Sequence, residues 1–300
     1  MTQNNPPSQL VVVGSSAGGI EALGTLVAGL PSDFPAPIVI AQHLDPNHPS
    51  HLAEILGRKS PLPVRTVTDQ EELEAGVVFV VPSNRHVEIT DHHVGVLEHG
   101  QDRPKPSVDR LLITAAAVFG ERLVAVILTG SGSDGTAGAR VVKEADGMVI
   151  IQDPDTAAYP SMPRSLAPTT VDIAASLEQI GPILADVVAG QETVPDAVLR
   201  DILDQVHARR GIDFSTYKQQ TIMRRLRRRI TAVGVSTFED YRAYMAEHPE
   251  EEQRLVSSFL INVTRFFRDA SLFAHLRDHL LPELIARARD DTRELRLWSA

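Results

Sequence analysis

Three residues of the types needed for acyl transfer stand at the ends of apolar runs: Ser16 in "VVVGSSAGG", His43 in "IVIAQHLD" and Asp134 in "VILTGSGSDG". A serine attacks a carbonyl only when a base takes its proton and an acid orients that base, so these three form a working set if the fold brings them together. The turn Gly14-Ser15-Ser16-Ala17-Gly18 also has the G-x-S-x-G form. At a strand-to-helix junction that form holds the central hydroxyl clear of the backbone and offers the N–H groups of the next helix to an oxyanion. Taken alone it is weak evidence, because Gly and Ser serve tight turns of many kinds. The chain order Ser, His, Asp departs from the Ser, Asp, His order of α/β-hydrolases, although triads recur in several orders.

Other chemistries fit less well. A dinucleotide turn needs G-x-G-x-x-G and an acid ending the second strand, whereas the glycines here are Gly14, Gly18 and Gly19 and the second apolar run ends in Gln42 and His43. A P-loop needs a lysine straight after the turn, and none occurs before Lys59. His43, His48 and His51 cluster in sequence, but prolines at 46 and 49 interrupt them and H-E-x-x-H spacing is lacking, so no metal site is expected. His86, His92, His93 and His99 surround a hairpin pattern and read as solvated. Asp45 shares a loop with His43, where reaching the far side of the imidazole is awkward. Asp109 in "PSVDRLL" reads as a residue that caps or borders a helix. There is no cysteine, which removes thiolate catalysis, thiolate metal sites and disulfides.

The elements that must position these residues follow from periodicity. "VVVG", "PIVIAQ", "VVFVVP", "LVAVILTG", "MVIIQ" and "VDIAA" are short β-branched runs, several apolar throughout, as in strands buried on both faces. Amphipathic segments such as "GIEALGTLVAGL" and "SVDRLLITAAAVFG" supply covering helices. The pattern predicts an α/β domain with a doubly wound, mostly parallel sheet over residues 9–185, after a disordered stretch 1–8. "TDHHVGVLEHG" alternates instead and predicts a hairpin on an antiparallel edge. In such sheets sites lie outside the carboxyl ends of the strands, where Ser16, His43 and Asp134 all fall.

A polar, proline-containing stretch at 186–196 predicts a linker, and helical patterns follow over 197–290: "DAVLRDILDQVHARRG", "YKQQTIMRRLRRRITAVG", "TFEDYRAYMAEHPEEEQRLVSSFLI" and "ASLFAHLRDHLLPELIARAR". Gly211 and Gly234 stand where helix C-termini need a left-handed residue. In "RRLRRRI", Met223, Leu226 and Ile230 make one apolar stripe, leaving Arg224, Arg225, Arg227, Arg228 and Arg229 for a solvated or docking face. The chain has 29 Lys and Arg against 39 Asp and Glu, a formal charge of -10, which argues against a nucleic-acid binder overall. With no secretory signal and no apolar run of about 20 residues, a cytoplasmic protein without membrane insertion is expected.

Taken in order, "VVVGSSAGGIEAL", "IVIAQHL", "KPSVDRLL", "AVILTGSGSDGTAG" and "SMPRSLAP" resemble the catalytic domain of the chemotaxis receptor methylesterases, CheB. The resemblance implies hydrolysis of glutamyl methyl esters on receptor signalling helices, and deamidation of glutamine there, with nucleophile Ser16, base His43 and orienting acid Asp134. No metal or organic cofactor is implied. Two positions depart from the family pattern: Ala17 where threonine is usual, and Ser131 where methionine is frequent. The family's usual N-terminal receiver has no counterpart in the roughly eight residues before the match.

"GIDFSTYKQQTIMRRLRRRI", "NVTRFFRD" and "LRLWSA" resemble the helical N-terminal domain of the chemotaxis receptor methyltransferases, CheR, and then, at 291–300, the first strand of their S-adenosylmethionine fold. Thr264, Phe267 and Arg268 match a segment bordering that cofactor in complete methyltransferases. Without the glycine-rich loop that follows it there, no donor binding or methyl transfer is expected of this chain. On this reading the arginine face docks an acidic receptor helix. The competing expectation is a catalytically silent regulatory module that binds a partner through the esterase cleft or the arginine helix.

Overall fold

The computed structural model describes residues 7–44, 50–97, 104, 106–189, 196–214, 217, 219–235, 237–259, 276–282 and 285. Through residue 189 the strands are β1 (Leu10–Ser15), β2 (Ile38–Gln42), β3 (Val64–Thr66), β4 (Gln70–Glu72), β5 (Val78–Val80), β6 (His86–Thr90), β7 (His93–Leu97), β8 (Leu123–Ile127), β9 (Met148–Gln152) and β10 (Ile173–Ala175). The helices between and after them are α1 (Gly19–Ala28), α2 (Leu52–Gly57), α3 (Val108–Phe119), α4 (Thr136–Glu144), α5 (Ser161–Arg164) and α6 (Leu177–Ala189).

Seven strands form one parallel sheet in the order β10-β9-β8-β1-β2-β5-β3. Successive residues of β1 face opposite sides. Leu10 and Val12 join a core with Leu111, Leu112, Ala115 and Ala139 of α3 and α4. Val11 and Val13 join a second core with Leu23, Leu26, Ile180 and Leu184 of α1 and α6. Burial on both faces is why these strands read as uninterrupted apolar runs. The chain leaves β1 toward β2 on one side and returns at β8 on the other, so the topological switch point falls between β1 and β8.

The hairpin β6–β7 is present, but it pairs with β4 in a separate three-stranded antiparallel sheet instead of extending the edge of the main one. Val87, Ile89 and Val94 are the reason: they are buried in the same cluster as Leu111 and Ala115, so the hairpin lies on α3. At Gly14 the first residue of α3 comes so near that a Cβ would stand 2.4 Å from Val108 Cγ1. Only glycine lets the start of α3 approach the end of β1 this closely.

The helical part contains α7 (Asp196–Arg210), α8 (Gln219–Val233), α9 (Phe238–Glu247) and α10 (Pro249–Phe259). Gly211 (φ 69°) and Gly234 (φ 76°) follow α7 and α8 in the left-handed region. The pattern expected as one helix from Thr237 onward is two, since Pro249 lacks the N–H needed to continue α9 and opens α10. Ile202, Val206, Ile222, Leu226, Tyr241 and Leu255 form its core.

The arginine face needs correcting. Arg225 is 7% exposed, donating to the carbonyls of Ser258 (2.7 Å) and Phe259 (2.6 Å) at the end of α10 and to Asp146 Oδ1 (3.0 Å). Arg229 makes two 2.8 Å bonds to the buried Glu251, which also accepts from the Tyr241 hydroxyl at 2.8 Å. An arginine that closes a helix C-terminus or neutralises a buried carboxylate is not free to dock a partner. The side chains of Arg224, Arg227 and Arg228 lie outside the described residues, as do residues 190–195 of the linker expected at 186–196, Thr264, Phe267, Arg268 and the expected strand at 291–300; at the linker's ends, 186–189 instead belong to α6 and Asp196 opens α7. From residue 260 the chain forms a second unit, of which Leu276–Leu280 is a short π-helical turn.

Candidate active site

Ser15 and Gln42 are partners in register at the ends of β1 and β2, so Ser16 and His43 are the next residues out of adjacent strands. Asp134 arrives from the loop after β8, on the other side of β1. His43 Nε2 lies 2.8 Å from Asp134 Oδ2, with the side chains 16% and 7% exposed. An ionised carboxylate only accepts, so Nε2 carries the proton and Nδ1 is the nitrogen left to receive one. Among the described residues no hydrogen bond joins Ser16 Oγ to His43, so the His43–Asp134 pair is formed without the serine.

The two serines of the turn differ sharply. Ser15 is fully buried and its hydroxyl donates to Gln42 Oε1 at 2.6 Å. Ser16 is partly exposed, and its peptide is held on both sides: its N–H donates to Thr129 O at 3.1 Å and its carbonyl accepts from Gln42 Nε2 at 2.7 Å. That leaves the next two amides, Ala17 and Gly18, donating to no protein group among the described residues. Gly18 has φ 74°, which turns the chain into α1. Gly19 admits the Gln42 carboxamide, since a Cβ there would lie 1.9 Å from Oε1.

Asp134 owes its position to α3. Its carboxylate accepts from the amides of Val108 (2.7 Å) and Asp109 (2.9 Å), the first two of that helix, and from the Ser107 hydroxyl at 3.3 Å. Ser107 in turn caps the same helix by accepting from Arg110 N at 3.2 Å. Four N-terminal amides of a helix need partners, and a carboxylate is favoured there by the helix dipole. Burial pushes the Asp134 carboxyl up, but the bonds from His43 and from the Asp109 and Val108 amides outweigh it and hold it below the ordinary carboxylate range.

Asp109 returns the favour to α4: its Oδ1 accepts from Gly135 N at 2.9 Å and Gly138 N at 2.6 Å. Burial raises its pKa, the Gly138 amide opposes this, and the negative charge of Asp134 adds to the rise. It therefore caps a helix, as its sequence context suggests, and also lines the cleft with His43, Ser107, Ser131, Gly132 and Asp134. Ser131 is among the residues lining that cleft, while the carbonyl of Ala17 accepts from Thr129 Oγ1 at 3.2 Å.

Several supporting residues were not singled out from sequence: Gln42, Ser107, Thr129, and Gln152, whose Oε1 accepts from Thr129 N at 2.9 Å. A usable signal existed in "IVIAQ" and "MVIIQ", two otherwise apolar strands that each end in a buried glutamine. His51 is exposed beside Glu54, and Asp45, His48 and His99 lie outside the described residues. No group of histidines and carboxylates able to hold a metal occurs among the described residues. No helix among them is long and apolar enough to cross a membrane.

An open parallel sheet carrying Ser16 and a His43–Asp134 pair around its switch point defines a doubly wound α/β protein. The family model for the CheB methylesterases matches residues 11–184, and that for the all-alpha domain of the CheR methyltransferases matches 197–260. The chain belongs to the CheB methylesterase family, a family of carboxylic ester hydrolases. It is 40% identical over 161 residues to a protein-glutamate methylesterase/protein-glutamine glutaminase of Anaeromyxobacter dehalogenans, covering 52% of this chain and 46% of that protein. An uncharacterised 104.1 kDa protein of Rhodobacter capsulatus is 32% identical over 281 residues, 83% of this chain and 29% of that protein. The chain thus spans less than half of either relative. The crystal structure of the Thermotoga maritima CheB methylesterase catalytic domain superposes with a TM-score of 0.56 at 34% identity, covering 60% of this chain and 98% of that one.

Proposed function

We propose that the chain hydrolyses glutamyl γ-methyl esters on receptor-like signalling helices, and deamidates glutamine there, with Ser16 as nucleophile, His43 as base and Asp134 as orienting acid. The observation that carries this is the 2.8 Å bond between His43 Nε2 and Asp134, with Ser16 emerging one strand away. Nδ1 of His43 takes the Ser16 proton as Oγ attacks the ester carbonyl. The amides of Ala17 and Gly18 receive the developing oxyanion; Ser16 N–H does not, being held by Thr129. Protonated His43 returns its proton to the leaving methoxide, methanol departs, and water activated by His43 hydrolyses the acyl-enzyme. The Ser16 Oγ–His43 Nδ1 hydrogen bond that this step needs forms in the productive complex.

The test is methanol release from a glutamyl γ-methyl ester peptide by the full chain. Ser16→Ala should lower kcat by about 10⁴- to 10⁶-fold while the folded state persists. Release at the unsubstituted rate in that variant would sink the serine mechanism.

A further inference from the structure

A buried polar cluster lies beneath the reacting residues. β1 and β2 are apolar until their last members, Ser15 and Gln42, which are 0% and 3% exposed. The Ser15 hydroxyl donates to Gln42 Oε1 at 2.6 Å, which decides the orientation of the carboxamide. Nε2 is thereby turned to two backbone carbonyls, Ser16 O and His43 O, each at 2.7 Å. Both Nε2 protons are used, and Gly19 leaves just the space that Oε1 fills.

We infer that Gln42, oriented by Ser15, is the positioning residue for the Ser16/His43 pair. The inference rests on the serine mechanism proposed above. The two residues sit on different strands, and the last bond between those strands is His43 N–H to Ser15 O at 3.1 Å. Past it, one planar amide ties together the backbones from which the two side chains reach each other. Proton transfer needs its heavy atoms within about 3.2 Å, and a misplacement of about 1 Å costs on the order of 100-fold. A glutamate in this place would set carboxylate oxygens against two carbonyl oxygens. A leucine would remove both donors at nearly constant volume.

The experiment compares Gln42→Leu, Gln42→Glu, Ser15→Ala and Ser16→Ala in the full chain, on the same methyl ester peptide. The Gln42 variants should lose about 10- to 100-fold in kcat with KM within about twofold of the unsubstituted protein, and Ser15→Ala about 3- to 10-fold. Labelling of Ser16 by a fluorophosphonate should slow in parallel. Unchanged kcat in a folded Gln42→Glu protein overturns the inference, and so does a parallel loss of kcat, substrate affinity and folded structure in all three positioning variants. If the Gln42 variants do not fold, Ser15→Ala decides: a kcat loss at constant KM supports the inference and an unchanged kcat overturns it. Unchanged methanol release by Ser16→Ala removes the underlying mechanism instead, so the two failures are told apart.

Discussion

Asp109 and Asp134 are neighbours with opposite titration. Asp134 is held below the usual carboxylate range by the donors around it, so its contribution to stability is present above the unfolded-state value and is lost as pH falls through the folded one. Asp109 is raised, chiefly by burial, so the native state loses stability as pH rises from the unfolded-state value through the folded one. Both bonds of Asp109 to α4 end on one oxygen, Oδ1, which an asparagine also possesses. Asp109→Asn should therefore leave stability at pH 7 unchanged or slightly raised, whereas Asp109→Ala should cost about 1 kcal/mol, as for a lost helix cap; denaturant midpoints at pH 7 distinguish these. The strand-end rule points to His43 and Asp134 because His43 directly follows an apolar run and Asp134 is the one charged residue in the glycine-rich loop after another. Gln42 was hidden because a neutral amide announces no chemistry, and its role exists only once β1 and β2 lie side by side.

At the scale of elements, α8 shows what an amphipathic pattern cannot tell. Periodicity separates Leu226 and Ile230 from the arginines between them, but it does not distinguish an arginine in water from one bonded inside a bundle. Arg225 and Arg229 are of the second kind because α10 presents two terminal carbonyls and a fully buried carboxylate, Glu251, opposite them. Burial and the charge of Glu251 also push the Tyr241 hydroxyl upward, so it remains a donor to that carboxylate. Removing one partner of a buried charge pair leaves the other uncompensated, so Glu251→Ala should destabilise the helical part by about 3–5 kcal/mol. The check is the urea midpoint monitored by helical circular dichroism. The parallel sheet was legible from its unbroken apolar strands. The position of the hairpin was not, because alternation shows that one face is covered without showing that α3 covers it.

Across the whole molecule, Arg225 joins the helical part to the turn after α4 through Asp146, which has φ 63°. Asparagine tolerates that conformation and carries no charge, so Asp146→Asn weakens the pair without straining the turn. The aspartate is 42% exposed, and a loss of about 0.5–1 kcal/mol is expected. Amide exchange in α8 should accelerate about two- to fivefold while exchange in β1 stays constant. A longer-range consequence follows from the helix pair, since Asp134 satisfies the opening amides of α3 and Asp109 of α3 satisfies those of α4. Asp134 would be retained by selection for folding even in a descendant with no esterase activity, whereas the hydroxyl of Ser16 bonds no other group among the described residues. Across related chains, the loss of that serine beside a preserved aspartate is therefore the mark by which a silenced member is recognised.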